Sequence, residues 1–333
     1  MGAGGRMVAI SEERASRAPH ARPPFTVGQL KKAVPTHCFR RSLLTSSSYL
    51  VFDLLVAGAL LYTTTFFTFP GLLGYASWCL YWIAQVTGGT TAIQGGFPKT
   101  RSFVPKTKDK IGFAWLLYSN PAGRLLSIVI TLTLGWPLYL LFNVSGRPYE
   151  RFASHFDPNG PIFNESERYQ VLISDVSLVA VGLCIYKMAF AYGLFWLLKV
   201  YAIPVLIVNA FLVLITFLQH THPSLPHYSD AEWEWLRGAL STVDRDYGIL
   251  NHVFHHITDT HVAHHIFSTM PHYHAGEATK AIKPILGKYY QFDGTPIVEA
   301  LWREFKECVF ILILMNHKPQ GKQSCCLNYG SSI

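Results

Sequence analysis

The sequence predicts an all-α fold: a polytopic membrane helical bundle carrying a histidine-rich, metal-binding cap on its cytosolic side. Three observations predict it. Half of the residues are hydrophobic and only 14% are charged, against about 25% charged in an ordinary soluble domain. Five apolar stretches occupy the middle of the chain, several of them near the roughly 20 residues that cross a hydrocarbon core as a helix. Eleven of the fifteen histidines crowd between His220 and His274. The net charge of +8 suits a neighbour of anionic lipid, and apolar runs this long exclude nucleic acid as the partner of that charge. The six cysteines form no CxxC pair, so neither a zinc knuckle nor a disulfide framework is indicated.

Each element follows in order. Residues 1–47 read as a basic cytosolic segment with no apolar core suited to a cleavable signal peptide. Within it, PPFTVGQLKKAVP offers Thr26 as a helix N-cap and Pro35 as a stop, predicting a short interfacial helix with a basic face. Residues 48–86 form a first transmembrane hairpin, Ser48–Phe69 and Gly71–Val86, turned at Pro70-Gly71. Residues 87–122 are a cytosolic loop; from Phe97 to Arg124, Lys99, Arg101, Lys106, Lys108, Lys110 and Arg124 stand against the single acid Asp109. Residues 123–218 carry three further apolar stretches, Leu125–Phe142, Val176–Tyr192 and Leu194–Leu218, the last two hinged at Gly193. Both flanking regions read as cytosolic, so an odd number of stretches cannot all cross. Pro137 marks Leu125–Phe142 as the first candidate to be interfacial or re-entrant, with Pro204 in the fifth stretch as the competing signal. Residues 219–308 are the polar, aromatic cap, in which YSDAEWEWLRGALSTVDRDYG reads as an amphipathic helix capped by Ser229 or Asp230. Residues 309–333 form a tail.

The histidines carry the chemistry. HVAHH places His261, His264 and His265 at i, i+3 and i+4, which share one face of a helix. Thr258, Asp259 or Thr260 can cap its start, and Pro271 enforces its stop. Neutral imidazoles on one face suit a transition metal. A zinc hydrolase is disfavoured, because Val262 stands where the HExxH motif needs its glutamate base. His220, at the exit end of the fifth apolar stretch, is the next candidate ligand. His255 and His256 precede the helix, and one of them is expected to supply a ligand or a hydrogen bond to one. His222 and His227 are assigned structural roles, and His272 and His274, beyond Pro271, are not expected to be ligands.

These residues bring a resemblance with them. IPVLIVNAFLVLITFLQHTHPSLPHY and WLRGALSTVDRDYGILNHVFHHITDTHVAHHIFSTMPHYHAGEATKAIKPILGKYYQFDGTP, together with MGAGGRM, SRAPHARPPFTVGQLKKA and GWPLYLLFNVSGRPY, resemble the plant microsomal oleate desaturases from Met1 to about Cys308. The resemblance implies a multi-pass endoplasmic-reticulum membrane enzyme with its metal site facing the cytosol. It would introduce a delta-12 double bond into oleoyl chains of phospholipid, using O2, electrons from cytochrome b5 and non-haem iron in a di-iron centre. A hydroxylase or acetylenase on the same scaffold is an alternative that nothing in the sequence separates.

The chain also departs from that family. The family gathers its ligands from three histidine boxes and a histidine near the end of its last membrane helix; here no histidine lies between His37 and His155. The segment expected to carry the first two boxes is replaced by a Gly/Thr-rich junction, Val86 to Arg101, and the family pattern also ends at the tail. The ligand count therefore predicts a chain impaired in catalysis. The alternative is a non-catalytic membrane protein that associates with intact desaturases.

Overall fold

The computed structural model describes residues 17–67, 70–93, 115–228, 232–308, 311–312 and 324–325. The replaced junction beyond Ile93 and most of the tail, as well as the expected helix caps Ser229 and Asp230, lie outside these residues.

Helix α1, Val27–Ala33, begins where the sequence places it: the Thr26 hydroxyl accepts from the Gln29 N–H, and the Gln29 side chain accepts from the Thr26 N–H at 2.8 Å. Its apolar face is not turned outward. Phe25, Leu30, Val34 and Cys38 are buried against Ala278, Ile282 and Leu286 of the cap, so the apolar face that would meet lipid is already covered.

The bundle consists of α2 (Leu43–Phe66) and α3 (Leu72–Ile93), joined through Gly71 at φ 57°; the short α4 (Trp115–Ser119) and α5 (Pro121–Phe142); α6 (Arg168–Tyr192); and α7 (Leu194–His220). Gly193, at φ 83°, separates the last two as expected. Among the described residues, four segments are long and apolar enough to cross a membrane: Leu43–Phe66, Pro121–Phe142, Glu165–Tyr192 and Leu194–His220. Their large apolar side chains, among them Phe52, Leu55, Val179 and Leu206, point outward, as lipid-facing residues do. Helix α2 packs on α3, α3 on α7 and α7 on α5, whereas α6 packs chiefly against its own flanking segments.

Two irregular sites tie these helices together. Pro137 has no N–H, so its i−4 neighbour Thr133 loses the helical partner of its carbonyl. The Asn209 amide of α7 donates to that carbonyl at 3.0 Å and to the Leu132 carbonyl at 2.6 Å. Helix α5 therefore runs unbroken through Pro137 and is of span length; the proline does not interrupt it. In α7, Leu198–Ala202 is a π turn. Tyr81 Oη donates to the Val200 carbonyl and Trp82 Nε1 to the Lys199 carbonyl, each at 2.9 Å, fixing α3 on α7 at the irregular turn.

The cap follows α7. It comprises α8 (Trp235–Ala239), β1 (Asp244–Arg245), α9 (Leu250–Val253), α10 (His261–Ile266), α11 (Ala275–Leu286), β2 (Phe292–Asp293) and α12 (Ile297–Glu307). β1 and β2 pair in parallel. The long amphipathic helix expected before α9 is thus only the five residues of α8. Beyond it the chain turns extended, because Val243 N–H bonds the Gln219 carbonyl, Asp244 N–H the Gln291 carbonyl and Arg245 N–H the Thr258 carbonyl. These bonds outweigh the weak helical preference of the segment.

Arg245 is the buried centre of the cap, 1% exposed. Its Nε donates to the Leu218 carbonyl at 2.8 Å, its Nη1 pairs with Asp293, and its Nη2 meets Glu304 at 2.7 Å. Arg303 bonds both carboxylates at 2.7 Å. Burial opposes ionisation of Asp293, but the bond from His222, the charge of Arg245 and the bonds from Thr295 and Arg303 outweigh it and hold the carboxyl far below the usual carboxylate range.

Removing Arg245 leaves buried carboxylates with too little counter-charge. Arg245→Met is expected to cost about 3–5 kcal/mol, read as a lowered thermal midpoint of the detergent-purified chain. The folded pKa of Asp293 lies below its unfolded value, so its contribution is fully present above about pH 4 and is lost as the pH falls below that; an acid limb steepest there and flattened in Asp293→Asn checks the sign. Asn209→Ala is expected to cost about 1–2 kcal/mol by stranding the Thr133 carbonyl. In a double-mutant cycle Pro137→Ala should remove most of that cost, and additive effects would refute the pairing.

Candidate metal centre

His220 is the last residue of α7, and His261 opens α10. Between them the chain is stapled by two adjacent residues. Arg245 takes the Leu218 carbonyl at the end of α7. Asp244 Oδ1 accepts from the Val262 N–H at 2.7 Å, and its Oδ2 accepts from Tyr290 Oη at 2.8 Å. The start of α10 is therefore capped by Asp244. The three residues expected to cap it are engaged elsewhere: Thr258 donates to Asn251 Oδ1, Asp259 meets His256, and Thr260 donates to the His256 carbonyl. Gln219, beside His220, is fully buried, and its side chain donates to the Thr258 carbonyl at 2.8 Å. Burial pushes the Asp244 carboxyl up to about 7 against the two bonds it accepts.

This scaffold brings three imidazoles to one point. His261 Nε2 lies 3.3 Å from His220 Nε2 and 3.1 Å from His265 Nε2. His261 Nδ1 lies 3.1 Å from the Ile257 carbonyl, so that nitrogen carries the proton and Nε2 keeps its lone pair. The His220 ring bonds the Ser241 backbone. Burial, and then the neighbouring imidazoles, hold His261 and His265 well below the ordinary histidine range. Both are neutral at pH 7, the form that binds metal.

The other predicted residues go elsewhere. His264 stands 5.6 Å, ring to ring, from His261 and from His265, but contributes no nitrogen to the converging set. His255 and His256 both adopt left-handed backbone, φ 49° and 62°, and meet different carboxylates. His255 Nε2 faces Asp53 Oδ2 at 3.3 Å, and His256 Nδ1 faces Asp259 at 3.0 Å. His222, read as structural, bonds Ser224 Oγ at 2.6 Å; its approach to Asp293 and Glu304 makes no second centre, because Arg245 and Arg303 already hold those carboxylates. Asp53 was not singled out in the sequence. It is the lone charged residue of α2 and is 5% exposed; an isolated carboxylate in a span-length apolar helix is the signal that marks it. It anchors α2 to the cap through His255.

Three neutral imidazole nitrogens, His261 buried and His220 and His265 half-buried, fit one metal ion with further positions filled from outside. Among the described residues they do not fit two.

The sequence profile of the family described as "Fatty acid desaturase" matches residues 98–295. The chain is 52% identical to "Delta(12)-fatty-acid desaturase FAD2" of Vernicia fordii over 365 aligned positions, covering 93% of this chain and 95% of that protein. It is 50% identical to "Omega-6 fatty acid desaturase, endoplasmic reticulum isozyme 2" of Glycine max, with the same two coverages, and 49% identical to "Delta(12)-fatty-acid desaturase" of Arabidopsis thaliana over 365 positions. An alignment of 365 positions holds only 93% of 333 residues, about 310, so about 55 positions of the Vernicia fordii protein have no counterpart here. The likeness is nevertheless close along nearly the whole chain, and with it the chain belongs to the fatty acid desaturase family of oxidoreductases, in its branch of plant microsomal delta-12 oleate desaturases.

Proposed function

We propose that this chain is a delta-12 desaturase scaffold in the endoplasmic-reticulum membrane that keeps half of its metal cage and does not desaturate oleoyl lipid by itself. The observation that carries this reading is the convergence of His220, His261 and His265 without further imidazoles joining them among the described residues. Two features support it. The stretch from His37 to His155 holds no histidine, and the gap of about 55 positions against the relatives is large enough to account for the two missing boxes.

When bound, non-haem iron supplies the O2 chemistry that removes hydrogen from an unactivated methylene; the family uses two such ions with electrons from cytochrome b5. This chain's own residues do the rest. His261 Nδ1–H, held on the Ile257 carbonyl, aims its Nε2 inward, and burial keeps His265 unprotonated. The bundle presents apolar walls to an acyl chain of phospholipid. A second ion would need donors from the missing segment.

Packing supports an orientation. We place α2, α3, α5 and α7, which pack in series, across the membrane, with the less apolar α3 crossing because it is held between α2 and α7, which puts His220 and the loop after α3 on the same, cytosolic side. Helix α6 adds no crossing, and the segment between α5 and α6 faces the lumen. The 1–47, 48–86, 87–122, 123–218, 219–308 and 309–333 divisions stand as this reading's domain plan, with α5 exchanged for α6 as the stretch that does not cross.

Expressed in a host that makes oleate but no linoleate, the chain is expected to give a diene level equal to empty vector and to retain about one iron rather than two. Splicing the family's missing segment between Gln85 and Phe103 should restore linoleate. Diene from the unmodified chain, or two irons in it, would overturn the reading. For orientation, the NES sequon at Asn164 should acquire an endoglycosidase-sensitive glycan in microsomes, lost in Asn164→Gln. An unmodified Asn164 would return α5 to a re-entrant path.

A further inference from the structure

A second cluster of metal-ligating groups lies away from the three-histidine centre. His37 and Cys38 sit in the single helical turn Thr36–Phe39, after α1. His274 and Glu277 sit at the start of α11. One ligand atom from each of the four lies within 4.8 Å of all the others. His37 Nε2 is 2.9 Å from Glu277 Oε2 and 3.6 Å from Cys38 Sγ, and the His37 and His274 rings meet edge to face at 5.3 Å. Cys38 is fully buried while His37 and Glu277 reach solvent, so the cluster is open to an ion on one side and closed behind the sulfur.

The donor set decides the ion. One sulfur, two imidazoles and one carboxylate make four ligands of the kinds that structural zinc takes, with bonds of about 2.0–2.3 Å. A thiolate and a carboxylate together carry two negative charges, which balance Zn²⁺. The set differs from that of the three-histidine centre, where no sulfur is present, and a soft thiolate favours zinc over the harder divalent ions. The present contacts place a single nitrogen, His37 Nε2, between a thiol and a carboxylate; a cation at the centre would satisfy all three at once.

We propose that His37, Cys38, His274 and Glu277 form a structural zinc site that fastens the N-terminal segment to α11 of the cap. On binding, the Cys38 thiol releases its proton to solvent and the thiolate sulfur bonds the metal; no electron is transferred. The link joins residues 240 positions apart and adds a polar clasp to the apolar contact of Leu30 and Val34 with Ile282 and Leu286. It does not depend on whether the three-histidine centre supports catalysis.

Cobalt(II) loaded into the full chain in detergent tests the site, because a thiolate ligand gives a sulfur-to-cobalt charge-transfer band that imidazole and carboxylate cannot. The band is expected in the unmodified chain, in Cys79→Ser, in Cys184→Ser and in His261→Ala, and should vanish in Cys38→Ser. Since Cys38 is buried and its variant can fail by misfolding, the exposed His37→Ala is the companion. It should melt with the parent protein in chelator and lose the rise in thermal midpoint that zinc gives the parent. No band in the unmodified chain, a band that survives Cys38→Ser, or an undiminished zinc shift in His37→Ala would each overturn the site.

Discussion

The placement of the histidines depends on Asp244 and Arg245, two consecutive residues whose side chains point to opposite tasks. Arg245 accepts the electrostatic load of Asp293 and Glu304 and spends one donor on the end of α7. Asp244 takes the first turn of α10. A two-residue strand, held to β2, thereby fixes the distance between a helix ending in His220 and a helix beginning with His261. Helices of six residues are not stable by themselves, and α10 exists because its N-terminus is tied to something rigid. The buried charges are an expensive way to make a joint, but their directionality sets the register of two ligands that apolar packing alone would leave free to slide.

The same logic recurs within the bundle. Lipid gives no hydrophobic drive for helices to associate, so contacts that discriminate one arrangement must come from shape and from hydrogen bonds. Here they are concentrated where a helix is irregular. A proline in α5 leaves a carbonyl that Asn209 of α7 fills, and a π turn in α7 leaves carbonyls that Tyr81 and Trp82 of α3 fill. The defects thus specify which helices are neighbours.

Much of this was legible in the sequence and some was not, for reasons that can be named. The apolar stretches, the Thr26 cap, the break at Gly193 and the shared face of His261 and His265 all follow from local periodicity and capping chemistry, and all are present. The helix face of HVAHH was also read as including His264; its ring lies 5.6 Å from those of His261 and His265, but the nitrogens that meet His220 are those of i and i+4, a pairing with another helix that the local spacing does not contain. Pro137 signalled an interruption; its repair by a residue 76 positions away has no local signature. The expected helix before α9 failed similarly, since Thr242 to Arg245 are held extended by partners on α7, β2 and the loop before α10. Local signals found the elements, and long-range hydrogen bonds decided their ends.

The π turn at Leu198–Ala202 also sets an angular phase. One residue inserted into a helix rotates everything beyond it by about 100°, so the half of α7 that starts at Gly193 and the half that ends at His220 face directions that a regular helix would not combine. The turn works like a clutch between them: the first half can meet the flank of α6 while the second turns Asn209 to α5 and His220 to the cap. Length changes on the two sides of the turn are therefore not equivalent. A residue gained or lost before Leu198 alters only where α7 begins, whereas one gained or lost after Ala202 swings the terminal imidazole out of the metal centre while leaving the helix itself intact.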